Sequence, residues 1–366
     1  MQQIIVLLHL RTSYFVFRKW FFMSEERTEI SSLGEFGLID HLTKNIEHQN
    51  ASTILGVGDD AAVIDHFGKQ TVITTDLLIE GVHFDLMYTP LKHLGYKSVV
   101  VNVSDIYAMN ATPTQITLSL AVSNRFSLEA LEEFYDGVYV ACEEYGVDLI
   151  GGDTTSSSKG FVISVTAIGE VAPDQYVKRS TAKPNDLICV SGYLGGAYLG
   201  LLLLEREKKI FLETKGVQPD LENRDYIVGR LLKPEARRDI IEFFEKEKIV
   251  PTAMMDISDG LSSEVLHICK QSEVGAVLYE DKIPVHPDAK DFAYKLEIDP
   301  TACALSGGED YELVFTLSQS DYDKIKDVNG IRVVGYVTEA AEGAHIITRG
   351  GNKHELTAQG WNAFSK

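Results

Sequence analysis

Carboxylates recur along this chain in short blocks, many of them glycine-flanked, a pattern suited to holding cations through hard oxygen ligands. The densest block, Gly56 to Phe84, holds Gly58-Asp59-Asp60, an apolar segment, a Gly turn, and the strand Thr71-Val72-Ile73-Thr74-Thr75 ending on Asp76, with His83 after it. Further acidic tips stand at Asp105, Asp153, Asp256, Asp259 and Glu309-Asp310. Adjacent aspartates in a Gly-rich turn also describe a solvated turn with Asx hydrogen bonds. Asp76, closing an otherwise apolar strand, sits where α/β proteins present ligand groups, and Thr74 and Thr75 are either plain strand formers or add oxygens of the kind Mg²⁺ prefers. Asp105 falls in the apolar stretch from Val103 to Ile106, so burying it requires a cation or a cap; with Asn102, one turn earlier, it either faces one site or takes a solvent position at a helix end. Gly151-Gly152-Asp153 suits either a tight turn or backbone N–H groups approaching a phosphate while Asp153 holds a metal. The chemistry these blocks share is metal-bridged phosphate binding.

Other residues are less specific. His83 alone reads first as a structural hydrogen-bonder. Lys178-Arg179 is a basic pair within reach of a phosphate, or a solvated linker charge. Gly192-Tyr193-Leu194-Gly195-Gly196 matches neither nucleotide-loop pattern and is expected to be a helix entry. Trp361 either covers the core edge or offers a ring face to a cationic ligand, with Glu309 or Asp310 complementing it.

The chain has 366 residues, 45% hydrophobic, and a formal charge of −20, room for two domains. So acidic a chain without a basic run is not expected to bind nucleic acid, which draws on Lys and Arg. The four cysteines, Cys142, Cys189, Cys269 and Cys303, form no C-x-x-C pair, which suits a reducing cytoplasm and packing roles. Ile4 to Leu8 is too short to span a bilayer, which needs about 20 apolar residues, and lacks the flanks of a signal peptide. Residues 1–22 are expected to be an upstream extension, with Met23-Ser24 as the start, and no membrane partner is expected.

Periodicity supplies the elements that must place these side chains. An amphipathic helix is expected from Ser31 to near Gln49, then the Gly56–Phe84 hairpin. Tyr96 to Ala111 is ambiguous, because Val99-Val100-Val101 favours strand while Val101, Asp105 and Ala108 share a helical face; helix is preferred. Thr114–Val122 alternates as a strand. Ser127 caps a helix over 128–145 that stops at Gly146. A strand at Val147–Ile150 runs into Gly151-Gly152-Asp153-Thr154-Thr155, and Phe161–Val171 is another strand. After a polar linker at 178–186 come a strand at 187–191, a helix to Lys208, a polar insertion near 213–224, and a helix opened by Pro234. The expected remainder is a helix over 261–271 after Asp256-Ile257-Ser258-Asp259-Gly260, then strands at 276–279, 311–317, 331–337 and 344–347.

Together, Gly56-Val57-Gly58-Asp59-Asp60-Ala61-Ala62, Thr74-Thr75-Asp76 with His83, Asn102-Val103-Ser104-Asp105, Gly151-Gly152-Asp153-Thr154-Thr155, Asp256-Ile257-Ser258-Asp259-Gly260 and Ser306-Gly307-Gly308-Glu309-Asp310-Tyr311-Glu312 resemble the thiamine-monophosphate kinase family, in order and spacing, from Gly34-Glu35-Phe36 to Trp361. The resemblance implies a two-domain α/β (α+β) chain of the aminoimidazole ribonucleotide synthetase-like ATP-binding superfamily. An N-terminal domain at 23–172 would pair into a β-barrel across a homodimer, followed by a C-terminal α/β sandwich domain at 173–366. It implies Mg²⁺ on Asp60, Thr74, Thr75, Asp76, Asp105, Asp153, Asp256 and Asp259, with Asp60, Asp76, Asp105 and Asp256 catalytic through the metal. It implies ATP contacts at Gly152, Asp153, Arg179 and Ser258, and acceptor contacts to thiamine monophosphate at His83, Glu309 and Trp361. The implied reaction is direct in-line phosphoryl transfer from ATP to thiamine monophosphate. A phosphate monoester has a second pKa near roughly 6, so the acceptor oxygen is largely ionised at neutral pH and needs no general base. Selenophosphate synthetase would carry a reactive Cys near its N-terminus and the hydrogenase-maturation relative a terminal Cys; here the first is Cys142 and the sequence ends Phe364-Ser365-Lys366. Aminoimidazole ribonucleotide synthetase-like chemistry and a non-catalytic Mg²⁺ or nucleotide sensor stay open as alternatives.

Overall fold

Six strands form the first sheet: β1 (Thr53–Leu55), β2 (Ala62–His66), β3 (Lys69–Ile79), β4 (Thr112–Val122), β5 (Asp148–Ser156) and β6 (Val162–Val171), in the order β1-β2-β3-β6-β4-β5. The computed structural model describes residues 53–55, 58–66, 68–123, 125–214 and 217–358. The expected 1–22 extension, the helix expected up to Gln49, Gly56-Val57 and Trp361 lie outside the described residues. Strand pairing is antiparallel except between β4 and β5. Asp76 does not end β3 as expected: Leu77, Leu78 and Ile79 continue the pairing with Ser164, Ile163 and Val162 of β6. Gly151 to Thr155 is likewise not a turn but part of edge strand β5, and a Cβ on Gly152 would lie 1.7 Å from the Leu118 carbonyl oxygen of β4.

Helix α1 (Leu91–Ala108) settles the ambiguous stretch. Its β-branched residues favour strand locally, but Val99, Val100 and Val103 are fully buried. The helix packs on β3, β4 and β6, and burial on nearly every side overrides propensity. Helix α2 (Leu128–Tyr145) follows its expected signals: Ser127 Oγ accepts from Ala130 N–H at 3.3 Å, and Gly146 ends the helix at φ 66°. The two helices meet at glycines, where a Cβ on Gly95 would lie 1.9 Å from the Phe134 carbonyl oxygen and one on Gly137 1.8 Å from that of Lys92. Backbone cannot yield as a flexible side chain does. Gly137→Ala is therefore expected to destabilise the fold by about 3 kcal/mol, read as a lowered midpoint in urea; an unchanged midpoint would show that the helices slide apart without cost.

The second sheet holds β7 (Leu187–Ser191), β8 (Ala253–Asp256), β9 (Val274–Tyr279), β10 (Leu313–Leu317), β11 (Ile331–Glu339), β12 (Ala344–Ile347) and β13 (Lys353–Glu355), in the order β13-β12-β9-β11-β7-β10-β8. Its helices are α3 (Gly196–Glu213), α4 (Asp225–Leu232), α5 (Arg238–Glu247), α6 (Leu261–Ser272), α7 (Pro287–Lys295), α8 (Pro300–Ser306) and the short α9 (Tyr322–Ile325). Three departures from expectation have local causes. Helix α5 starts at Arg238 and not at Pro234, which follows Lys233, a poor cap. The proline rule holds instead at Pro287 and Pro300, which follow the capping side chains of His286 and Asp299. Strand β10 starts at Leu313 and not Tyr311, because Glu309 and Tyr311 have φ of 61° and 51°, left-handed values incompatible with a strand. Helix α4, unanticipated, lies in a stretch that offers no N-cap side chain.

One core cluster joins the two sheets: Leu94, Val99 and Val103 of α1 belong with Met254 of β8, Phe244 of α5 and Phe315 of β10. A second cluster includes Val190, Leu199, Ile268, Leu278 and Phe292. Helix α1 thus packs on both the first sheet and β8, and its polar residues are carried to where the two sheets meet.

Candidate functional site

Three carboxylates converge there from separate elements. Oxygens of Asp60, just before β2, of Asp105 on α1, and of Asp256 at the end of β8 all lie within 4.8 Å of one another. Neighbouring polar groups hold them in place. Thr74 Oγ1 donates to Asp105 Oδ2 at 2.7 Å, and Ser104 Oγ donates to Asp256 Oδ2 at 2.7 Å. Arg179 donates from its guanidinium to Asp60 Oδ1 and from its backbone N–H to Asp59 Oδ1 at 2.6 Å. Asp76 joins from β3, where Asn102 Oδ1 accepts its backbone N–H at 2.9 Å. Asn102 therefore serves the site as its spacing suggested.

The cluster is electrostatically costly as it stands. Burial pushes the Asp105 carboxyl well above its ordinary range, and Asp76 and Asp256 add to it. Burial and then Asp60 push Asp256 up to about 8; burial, Glu309 and Asp60 push Asp76 up to about 6. Burial raises Asp60 despite Arg179, and its buried Oδ2 has no hydrogen-bond partner. Close carboxylates, all hard oxygen donors, with one orphaned oxygen among them, fit a divalent cation such as Mg²⁺.

A prediction with a definite sign follows from these shifts. The folded carboxylates hold protons that the unfolded chain, with an ordinary aspartate pKa of 3.8, has released, so metal-free stability falls as pH rises from about 4 to about 8. Mg²⁺ binds the ionised form. Its stabilisation is expected to be several °C larger at about pH 8.5 than at about pH 5.5, measured by thermal melting with and without Mg²⁺; equal shifts at both pH values would count against a metal on these groups.

A second group of residues flanks the cluster. The loop after α8 carries Glu309, whose N–H donates to Ser258 O at 2.7 Å, whose Oε1 accepts from Tyr311 Oη at 3.2 Å, and whose Oε2 accepts from Lys97 Nζ of α1. Ser258 and Asp259 donate their backbone N–H groups to Glu264 Oε1 at 3.2 and 2.8 Å. His83 accepts the Ile79 N–H on Nδ1 at 3.0 Å, which places the proton of the neutral ring on Nε2. Burial lowers the His83 pKa, with Lys97 adding to the effect and Glu309 opposing it, so His83 is a neutral donor and not a base. Behind the loop, buried Glu312 accepts from Arg230, Arg237 and Ser191 Oγ, and buried Asp310 accepts the Gly195 N–H at the start of α3 at 2.7 Å.

The pleat divides the sequence-derived set. Asp76 pairs across to Val165, Leu118 and Gly152; Val165 and Leu118 are buried, so Asp76 faces inward with Thr74. Thr75 has the opposite orientation: its hydroxyl meets Val165 O at 3.0 Å and Thr166 Oγ1 at 3.1 Å. Asp153, in register with Ser119, Ser164 and Leu77, is exposed on that same outer face. Gly152 lies three strand spacings from Asp76, ~14 Å at about 4.8 Å each. Within one chain, then, Gly152, Asp153 and the Thr75 hydroxyl do not reach the carboxylate cluster. Sequence reasoning gave no role to Lys97, Ser104, Tyr311 or Glu264. Lys97 alone left a signal, a lysine in an apolar helical run eight residues before Asp105.

Residues 58–171 match the family model described as AIR synthase related protein, N-terminal domain, so the first sheet and its helices have an AIR synthase-related fold. The thiamine-monophosphate kinase of Bacillus subtilis (strain 168) is 34% identical over 341 residues, covering 91% of this chain and 100% of that protein. That of Aquifex aeolicus (strain VF5) is 35% identical over 335 residues, covering 92% and 99%. Among solved structures, AaThiL complexed with AMPPCP and TMP superposes with a TM-score of 0.78 at 32% identity, over 92% of this chain and 99% of that one. The chain belongs to the thiamine-monophosphate kinase family. Among the described residues, no helix is long and apolar enough to cross a membrane.

Proposed function

We propose that this protein transfers the γ-phosphoryl group of ATP to thiamine monophosphate, giving thiamine diphosphate by direct in-line displacement. The observation that carries this reading is the convergence of Asp60, Asp105 and Asp256 within 4.8 Å, in a chain whose relatives of comparable length are thiamine-monophosphate kinases. The solved relative binds AMPPCP, an ATP analogue, together with TMP.

Asp60, Asp105 and Asp256, with Asp76 beside them, would hold Mg²⁺, with Thr74 bonded to Asp105 and Asp259 added by family resemblance. Bound Mg²⁺ would screen the two phosphates from each other and neutralise charge developing in transfer. The protein's own task is placement. Thr74 and Ser104 fix the oxygens of Asp105 and Asp256, and Arg179, paired with Asp59 and Asp60, would turn to an ATP phosphate once Mg²⁺ takes those carboxylates. Ser258, the ATP contact implied on the loop after β8, lies two residues beyond Asp256. Glu309 and neutral His83 line the acceptor side, with Trp361 assigned to it by family resemblance. No base is required: the acceptor oxygen is already ionised, Asp76 and Asp256 are given to the metal, and His83 offers a donor.

The same reading includes a homodimer, with domains at 23–172 and 173–366 and a cytoplasmic location. Its support is the family resemblance, the separation of the two sheets at 171 and 187, and an outer face on the first sheet that leaves Leu77 50% and Ile150 58% exposed. That face, which the proposed pairing covers, also bears Thr75 and Asp153. The four free cysteines suit a reducing compartment.

The deciding experiment is formation of thiamine diphosphate from ATP, Mg²⁺ and thiamine monophosphate by wild-type protein, followed by chromatography. Mg²⁺-dependent turnover is expected. No turnover in excess Mg²⁺ would favour a nucleotide sensor, and turnover only with another acceptor would favour a different enzyme of the superfamily.

A further inference from the structure

The face of α1 that brings Asp105 and Ser104 to the site also brings Lys97, two turns before Ser104. Its side chain is 5% exposed, and its ammonium donates to Glu309 Oε2 and to the Leu231 carbonyl of α4 at 3.3 Å. A buried ammonium is retained where partners take its charge. Glu309 is less enclosed, at 32% exposed. It projects from a left-handed residue (φ 61°) between Gly308 (φ 73°) and fully buried Asp310. Tyr311 Oη holds its other oxygen. Asp76 and His83 are within electrostatic reach of Glu309.

We propose that Lys97 is a positioning residue for the phosphate acceptor: it fixes the Glu309 carboxylate and cancels its charge where an anionic acceptor must enter a carboxylate-rich site. This rests on the acceptor reading above. Thiamine monophosphate carries a cationic ring and a phosphate. An unpaired Glu309 beside Asp76 attracts the first and repels the second, whereas the Lys97-paired carboxylate offers oxygens to the ring without opposing the phosphate. Arg179 does not supply this balance, because its guanidinium is engaged with Asp59 and Asp60. Helix α4 completes the arrangement, since Leu231 O orients Lys97 while Arg230, one residue before, donates to Asp310 O on the Glu309 loop.

The test is steady-state kinetics of Lys97→Met, which keeps the length and apolar volume of the side chain. The KM for thiamine monophosphate is expected to rise about tenfold to a hundredfold, with the KM for ATP changing by less than about twofold. Lys97→Arg should recover part of the loss. Adding Glu309→Gln to Lys97→Met should bring the acceptor KM down to that of Glu309→Gln alone, because no uncompensated carboxylate remains. If Lys97→Met does not fold, Lys97→Gln, which can still donate to the Leu231 carbonyl, should show the same acceptor-specific rise. An unchanged acceptor KM, parallel changes in both KM values, or a double variant no better than Lys97→Met overturns the proposal. The two readings fail differently: absence of turnover in wild type removes the kinase assignment and this role with it, whereas normal wild-type turnover with any of those outcomes removes only the role of Lys97.

Discussion

Asp76→Asn is expected to lower kcat on the order of a thousandfold or more while raising the melting temperature of the metal-free protein at alkaline pH. The two effects share one cause. Asp76 is held in β3 through its backbone, by the β6 ladder and by Asn102 Oδ1 on its N–H, so the carboxylate is not needed for the fold. Its charge opposes Asp60, Asp105, Asp256 and Glu309, as its own raised pKa and those of its neighbours show. Asparagine keeps the shape, removes the repulsion and loses the anionic ligand. The gain in melting temperature is expected at about pH 8.5, where Asp76 is ionised, and to vanish near about pH 5, where it is largely protonated. In saturating Mg²⁺ the order should reverse, with wild type melting higher. Near-normal kcat, or a metal-free variant that melts lower than wild type at alkaline pH, would show that the metal centre lies elsewhere.

Glu312→Ala is expected to be the most destabilising charge substitution in the chain, by about 3–5 kcal/mol. The carboxylate is 3% exposed and accepts from Arg230 at 3.0 Å, from Arg237, and from Ser191 Oγ at 2.6 Å. Removing it takes a buried carboxylate from two largely buried guanidinium groups, whose pKa values it helps raise against the opposing effect of burial, and leaves Arg230 with the Asp310 carbonyl and Arg237 with Asp239 alone. Packing around it is tight: a Cβ on Gly192 would lie 2.2 Å from Glu312 Oε1. Chemical denaturation measures the loss, and Glu312→Gln separates charge from shape, with an intermediate loss expected because the amide retains an acceptor for one arginine. Wild-type stability in Glu312→Ala would mean that water replaces the carboxylate at no cost. The network also bears on function, because Glu309 and Glu312 share one loop. Glu312→Gln should therefore raise the acceptor KM as well as lower stability.

Local signals in the sequence were sufficient where the deciding contacts are themselves local. Ser127 and Gly146 bound α2 because a cap hydroxyl and a left-handed glycine act within one turn of the helix end. Alternation in 114–122 and 161–171 reports a sheet with one buried face. The carboxylates of Asp60, Asp76, Asp105 and Asp256 stood out among a longer row of acidic tips in apolar or glycine-rich surroundings, where a buried acid needs a partner, and the family resemblance grouped them.

What only the tertiary structure decided depends on contacts between residues far apart in sequence. Val99-Val100-Val101 is helical because α1 is enclosed by neighbouring elements, a burial that no window of sequence contains. Thr74 and Thr75 look equivalent as letters, yet the pleat sends one to the carboxylate cluster and the other, with Asp153, to the outer face; only the register of β3 against β6 fixes that. Helix α4 lacked a capping signal and yet supplies Leu231 O to Lys97 and Arg230 to Glu312. The sequence by itself determined that carboxylates recur along this chain in blocks of a set order and spacing, and the family to which that pattern belongs. The fold determined which carboxylates meet, and that the buried Lys97 meets Glu309, because a charge is placed by the elements enclosing it and not by its own neighbours in the chain.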